Sequence, residues 1–134
     1  MAIRTVLMVD DDPDIRLLVE MALSNTGMEV HSADCGTAAM RLATTLRPDI
    51  ILLDATLPDM DGVAVYHALR LHEELVKTPV VFVTGRLLPE DRAHYRALGA
   101  AGLIAKPFDP FELPARINAI VAGGDAVACG FEGR

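Results

Sequence analysis

Apolar residues in this chain follow two alternating patterns. Residues 5–9, 50–53, 80–83 and 103–105 are short runs, apolar throughout or nearly so, and 28–33 is a weaker strand pattern. Runs of this length suit strands covered on both faces, as inside a parallel sheet. Between them the apolar positions shift to helical spacing: Ile15, Leu18, Val19, Ala22 and Leu23; then Ala39, Leu42, Ala43 and Leu46; then Val65, Ala68 and Leu69; and last Leu113, Ile117, Ile120 and Val121. Each set marks one face of a helix. A short polar helix is predicted over residues 89–98, ahead of Gly99, and the helix carrying Val65 is predicted near residues 62–75. Strands alternating with helices imply βαβ units, hence an α/β fold with a parallel sheet and helices on both faces.

Local signals set the boundaries. Asp12 reads as an N-cap with Pro13 at the first helical position, and Gly27 closes that helix. Pro48 stops the second helix, and Pro79 opens the fourth strand. In the turn after the third strand, Pro58 and Gly62 are punctuation, and Asp59 and Asp61 are read as solvated turn residues. Asp109 is the expected N-cap of the last helix with Glu112 as its capping-box partner, and Pro114 predicts irregularity in the early turns. Gly123 and Gly124 end the pattern, which divides the chain into a domain over residues 1–122 and a flexible tail or start of a linker over residues 123–134.

Composition narrows the options. The 134 residues suit one domain, and 51% hydrophobic content allows a real core, which must be aliphatic because only 4% are aromatic. A net charge of −7 leaves no basic stripe for phosphates, so no nucleic acid is expected to bind this domain. Cys35 and Cys129 have no metal-type spacing and read as free thiols in a reducing cytosol. His31, His67, His72 and His94 likewise lack ligand spacing. No apolar run reaches transmembrane length, and Asp10 to Asp12 interrupt any signal-peptide pattern, so a cytoplasmic protein without membrane contact is expected.

Chemistry-bearing residues recur where strands stop. The first run ends in Asp10, Asp11 and Asp12, the third in Asp54, the fourth in Thr84 and Gly85, and the fifth in Lys106 and Pro107. Open parallel sheets bind ligands at the carboxyl ends of their strands, so neighbouring strands would bring these groups into one crevice. Adjacent carboxylates repel and raise one another's pKa, which a hard divalent cation relieves. Mg²⁺ prefers oxygen ligands and is often held by one or two carboxylates plus a phosphate. A carboxylate can act as nucleophile toward a phosphoryl group, a transfer that needs mainly in-line positioning and charge neutralisation. Taken singly, Asp12 is a helix cap, Thr84 a turn residue and Lys106 a solvated lysine. The joint placement at the ends of different strands carries the functional reading.

Four motifs in order, VLMVDDDPDIR, PDIILLDATLPDMDG, VVFVTG and AGLIAKPF, extend that placement to a family. Over residues 3–121 the chain resembles the receiver domain of two-component response regulators, of the chemotaxis type. The resemblance implies a flavodoxin-like, doubly wound, five-stranded parallel sheet in order 2-1-3-4-5 with five helices. It implies that Asp54 accepts a phosphoryl group from the phosphohistidine of a histidine kinase or histidine phosphotransfer protein. Asp10 and Asp11 match the acid pair that binds Mg²⁺, with Asp11 the more direct ligand, and Thr56 supplies a backbone carbonyl beside Asp54 in the same metal site. Thr84 matches the switch hydroxyl, Lys106 the lysine that pairs with the phosphate, and Pro107 a proline that is cis in the family. The chain would catalyse only its own phosphorylation and dephosphorylation. Its output would be a changed surface of the fourth helix, fifth strand and last helix, read by a downstream protein partner or by an effector domain beyond residue 134.

There are departures. Leu103 stands where many members carry an aromatic readout residue, and Tyr95 on the fourth helix is the alternative aromatic, although its expected place is an exposed helix surface. Gly85 leaves phosphate access open, and Arg86 occupies a position that often tunes phosphate lifetime in the family. The fifth strand lacks the acidic pattern associated with regulators that dimerise to bind DNA. Two other functions are carried alongside. Asp10-Asp11-Asp12 contains an Asp-x-Asp after a strand, as in haloacid-dehalogenase-type phosphohydrolases, although Asp14 stands where that motif has threonine or valine. A receiver-like interaction module working without phosphate is the third reading, and Leu103 is its support.

Overall fold

The computed structural model describes residues 3–122. Five strands, β1 (Thr5–Val9), β2 (Glu29–Ala33), β3 (Ile50–Asp54), β4 (Val80–Thr84) and β5 (Gly102–Ala105), alternate with α1 (Pro13–Ser24), α2 (Gly36–Leu46), α3 (Gly62–Arg70), α4 (Pro89–Leu98) and α5 (Leu113–Val121). The strands form one sheet in the order β2-β1-β3-β4-β5, and every pairing is parallel. The register sets Val9 beside Leu53, Asp54 beside Val83 and Thr84 beside Ala105, so the strands carrying the candidate residues end close together.

Strand side chains alternate between faces, and both faces are covered. Leu7, Val9, Ile51, Leu53, Phe82 and Leu103 pack against Ala39 and Ala43 of α2 and Val65 and Leu69 of α3. Val6, Met8, Ile50, Leu52, Val81 and Ile104 pack against Val19 and Leu23 of α1 and Leu113, Ile117 and Ile120 of α5. The central strands β3 and β4 are buried at every position, which is why their sequences are continuous apolar runs. β2, at the edge, is buried only at Ala33, and its weaker pattern follows from that position. α4 has no fully buried residue, in keeping with its polar sequence.

Asp12 caps α1, its carboxylate accepting the Asp14 N–H at 2.9 Å, and Pro13 lies in the first turn. Two helix boundaries differ from expectation. α3 stops at Arg70, short of residue 75, and a 3-10 turn over Glu73–Leu75 follows. Leu71 and His72 bond back to Ala68 and Leu69, and the Arg70 guanidinium donates to the carbonyls of Leu75 and Thr78 at 2.8 Å, which draws the chain away from the helix axis. α5 starts at Leu113 with Glu112 at its N-cap and no side-chain cap, so Asp109 and Glu112 form no capping box. Asp109 instead accepts the Phe111 N–H at 2.9 Å in a preceding turn. Pro114 has no N–H to return to Pro110, so an α-helix cannot begin one turn earlier. The tail reading of residues 123–134, and Cys129 within it, lie outside the described residues.

Candidate functional site

Asp10, one residue beyond β1, is fully buried. Its N–H donates to the Ala33 carbonyl at 3.1 Å, continuing the ladder to β2, and its Oδ1 accepts the Asp12 N–H at 2.9 Å. Arg16, one turn into α1, donates to the Asp10 carbonyl at 2.7 Å, which fixes the backbone that presents the acid. Asp54 is the last residue of β3 and is also buried, and its Oδ1 accepts the Thr56 N–H at 3.1 Å. Lys106 lies just beyond β5 and joins the two acids: its Nζ is 2.8 Å from Asp10 Oδ2 and 3.3 Å from Asp54 Oδ2. The Lys106–Pro107 peptide bond is cis. Thr84, the last residue of β4, is buried, and its hydroxyl oxygen accepts the Arg86 N–H at 3.1 Å.

Burial pushes the Asp54 carboxyl above its ordinary range, and the neighbouring Asp10 adds to this; the Thr56 N–H and the Lys106 ammonium work in the other direction. For Lys106 burial disfavours the charged form, but the hydrogen bond and charge of Asp10, with those of Asp54, outweigh it and leave the amine above its usual value. The lysine is therefore a fixed cation between two acids.

Asp11 is exposed at the rim of this pair. One carboxylate oxygen from each of Asp10, Asp11 and Asp54 falls within 4.8 Å of the others, close enough to share a metal ion. Beyond the Lys106 ion pair, Asp10 Oδ2 has no hydrogen bond although it is buried. Thr56 is two residues past Asp54, exposed, and bridged to Asp61 across the loop. An all-oxygen set with an under-satisfied buried carboxylate fits a hard divalent cation such as Mg²⁺. The structure thus brings together Asp10, Asp11, Asp54 and Lys106, with Thr56 bonded to the same Asp54 and Thr84 ending the neighbouring strand. Leu103 is fully buried in the core, two strand residues short of this edge.

Three residues between the end of β3 and the first turn of α3 do more than was expected of them. Asp61 is the N-cap of α3, accepting the Ala64 N–H at 2.8 Å. Asp59 accepts hydrogen bonds from Gly36 and Thr37 at the start of α2. Gly62 packs against β3, where a Cβ would fall 2.5 Å from the Asp54 carbonyl oxygen. The Asp61 cap had a sequence signal, because Val65 and Leu69 begin a helical face just after it. The Asp59 contact spans 22 to 23 positions and had no local signal. Tyr95 is half-buried on α4, with its ring 4.5 Å from that of Phe82, so it is not the exposed helix residue expected. A polar helix gives little warning that one aromatic faces inward.

A buried carboxylate, a fixed ammonium, a neighbouring hydroxyl and a metal-competent acid cluster meet at the carboxyl edge of a doubly wound α/β sheet. The sequence profile of the response regulator receiver domain matches residues 6–118, and the chain belongs to that family. The transcriptional regulatory protein GltR of Pseudomonas aeruginosa is 36% identical over 133 residues, covering 93% of this chain and 55% of that protein. The transcriptional regulatory protein PrrA of Mycobacterium leprae is 41% identical over 123 residues, covering 92% of this chain and 52% of that protein. The chain therefore spans about half the length of these curated relatives. Among solved structures, the chemotaxis protein CheY4 of Vibrio cholerae superposes with a TM-score of 0.83 at 34% identity, covering 89% of this chain and 99% of that one. Receiver domains of this family serve two-component signalling through phosphorylation. Neither the phosphohydrolase reading nor the phosphate-independent module is favoured by these matches. Among the described residues, no helix is long and apolar enough to cross a membrane.

Proposed function

We propose that this domain accepts a phosphoryl group on Asp54 from a phosphohistidine and uses the resulting charge to change a protein-binding surface. The observation that carries the reading is the Lys106 ammonium, 2.8 Å from Asp10 and 3.3 Å from Asp54 in a largely buried crevice. A carboxylate placed beside a fixed cation and a second acid is suited to receive an anion only when further positive charge is supplied. Asp10, Asp11, Asp54 and the Thr56 carbonyl would hold Mg²⁺. When bound, the ion supplies that charge and orients the phosphoryl oxygens. An Asp54 carboxylate oxygen attacks phosphorus; the bond from phosphorus to the donor imidazole nitrogen breaks, and its electron pair stays on that nitrogen. Lys106 pairs with the new phosphoryl oxygens. Thr84 turns its hydroxyl from the Arg86 N–H to donate to one of them. The chain's own catalysis is confined to this transfer and to loss of the phosphoryl group.

The acyl phosphate brings extra negative charge and strong acceptor oxygens. Thr84 opens the β4–α4 loop, and α4 is the helix with no fully buried residue, so the α4, β5 and α5 surface shifts population on phosphorylation. Leu103 gives that shift an aliphatic rather than aromatic position on β5. The donors are a histidine kinase or histidine phosphotransfer protein in the cytoplasm, and the reader is a downstream protein or effector domain. Two of the similar proteins are named as transcriptional regulators. Intact mass after incubation with acetyl phosphate and Mg²⁺ tests the reading. Wild type gains one phosphoryl group and Asp54→Ala none; a folded wild type that gains nothing contradicts it.

A further inference from the structure

Asp59 stands five residues beyond Asp54, in the loop that leads to α3. Its side chain takes three hydrogen bonds from the start of α2. The Gly36 N–H donates to Oδ1 at 2.8 Å, and the Thr37 N–H and hydroxyl both donate to Oδ2 at 3.0 Å. A helix start leaves several N–H groups without partners, and a local side-chain oxygen usually takes one. Here the N-cap is Cys35, which makes no side-chain cap bond. The α2 terminus is closed in trans by Asp59.

A second contact lies beside the first. Gly36 is buried against Met60, and a Cβ on it would fall 2.4 Å from the Met60 sulfur. The tip of the β3–α3 loop is thus fastened to α2 by one polar and one steric contact. The base of the same loop is closed by Gly62, whose N–H donates to the Ala55 carbonyl at 2.8 Å. Thr56 lies between tip and base, its N–H on Asp54 Oδ1 at 3.1 Å and its backbone bridged to Asp61. The base contacts hold Thr56 through its N–H and its bridge to Asp61, and the tip contacts hold the chain that follows its carbonyl, so that carbonyl is restrained from both directions.

We propose that Asp59 is a positioning residue for the metal site, clasping the β3–α3 loop to α2 so that the Thr56 carbonyl keeps a fixed place beside Asp54. This rests on the reading of Asp10, Asp11, Asp54 and Thr56 as the Mg²⁺ site. Partners that orient metal ligands from outside the ligand set typically cost about 10–100-fold in affinity when removed. Asp59 acts through a backbone loop, so the lower end applies.

The test is calorimetric titration with Mg²⁺ alone, in salt high enough to shrink the screening length to a few ångströms, so that the lost charge is not itself the effect. Asp59→Ala binds Mg²⁺ about tenfold more weakly. Asp49→Asn is the comparison, because Asp49 accepts the N–H groups of Arg4 and Thr5 at the opposite end of the sheet. It lowers the melting temperature and leaves Mg²⁺ affinity at the wild-type value. Asp59→Ala that is folded and binds Mg²⁺ like wild type overturns the clasp. If Asp59→Ala does not fold, Thr37→Val removes only the hydroxyl contact; about two- to threefold weaker binding supports the clasp, and unchanged binding overturns it. Equal Mg²⁺ binding by wild type and Asp11→Asn overturns the metal site itself, and the clasp with it.

Discussion

Gly62 lies against the backbone of Asp54, so close that a Cβ would sit 2.5 Å from the Asp54 carbonyl oxygen and 2.9 Å from Ala55 Cα. Both neighbours are backbone atoms and cannot rotate away. Gly62→Ala must therefore displace either the end of β3 or the start of α3. Overpacking of this kind costs about 1–3 kcal/mol. We expect a lower thermal midpoint by circular dichroism together with slower phosphoryl uptake, because the displaced residue is the proposed acceptor. A variant with wild-type midpoint and uptake would show that the loop yields freely.

Lys106 offsets two buried acids in the absence of metal. Lys106→Met leaves Asp10 and Asp54 facing each other, and removing one partner of a buried ion pair costs up to about 3–5 kcal/mol. Lys106 is partly exposed, so solvent screening reduces this to roughly 1–2 kcal/mol. A divalent cation bound between the acids restores part of the loss by linkage. Melting curves with and without Mg²⁺ should show a larger metal-induced rise in Lys106→Met than in wild type. Equal rises would mean that lysine and metal do not share the acids.

Asp59 gives the fold an acid-sensitive contact. Hydrogen bonds from Gly36, then from Thr37, hold its carboxyl below the ordinary value of 3.8. A carboxyl with a lowered native pKa contributes stability above its unfolded pKa and loses it as pH falls through the native one. The contribution is therefore complete at neutral pH and disappears below the ordinary carboxylate range. Urea midpoints of wild type and Asp59→Asn should differ most at neutral pH and converge in acid. A gap that does not change with pH would remove Asp59 from the acid response.

Tyr95 reports on α4. The chain has two tyrosines and no tryptophan, so Tyr66→Phe leaves Tyr95 as the sole tyrosine emitter. Its ring rests 4.5 Å from Phe82, on the strand that ends in Thr84, and burial, then Asp91, raises its hydroxyl pKa. Phosphorylation should change Tyr95 emission in Tyr66→Phe and leave it unchanged when Asp54→Ala is added. Full phosphorylation with constant emission would place the output elsewhere than on this face of α4.

Much of this was legible in the chain because it is local. Ile50 to Asp54 reads as a strand delivering an acid because every residue before the acid is buried on one face or the other. Helix faces such as Val19 and Leu23 follow from spacing alone. The strand order is not local, and it came from motif resemblance rather than from periodicity. Contacts between distant segments stayed hidden. Asp59 looks like a turn residue until Gly36 and Thr37 are placed beside it, and Gly62 looks like punctuation until the Asp54 carbonyl is. Tyr95 points inward from a helix whose composition is polar, and the start of α5 depends on the pairing that Pro114 cannot make with Pro110.

Among several neighbouring acids, Asp54 is the proposed carrier of the phosphoryl group. Borohydride reduces an acyl phosphate to an alcohol, marking the modified aspartate as homoserine. Wild type is phosphorylated with acetyl phosphate and Mg²⁺, reduced, digested, and its peptides sequenced by mass. Homoserine is expected at position 54, with unmodified aspartate at positions 10 and 11. Homoserine at either of those two positions, with Asp54 intact, would contradict the assignment.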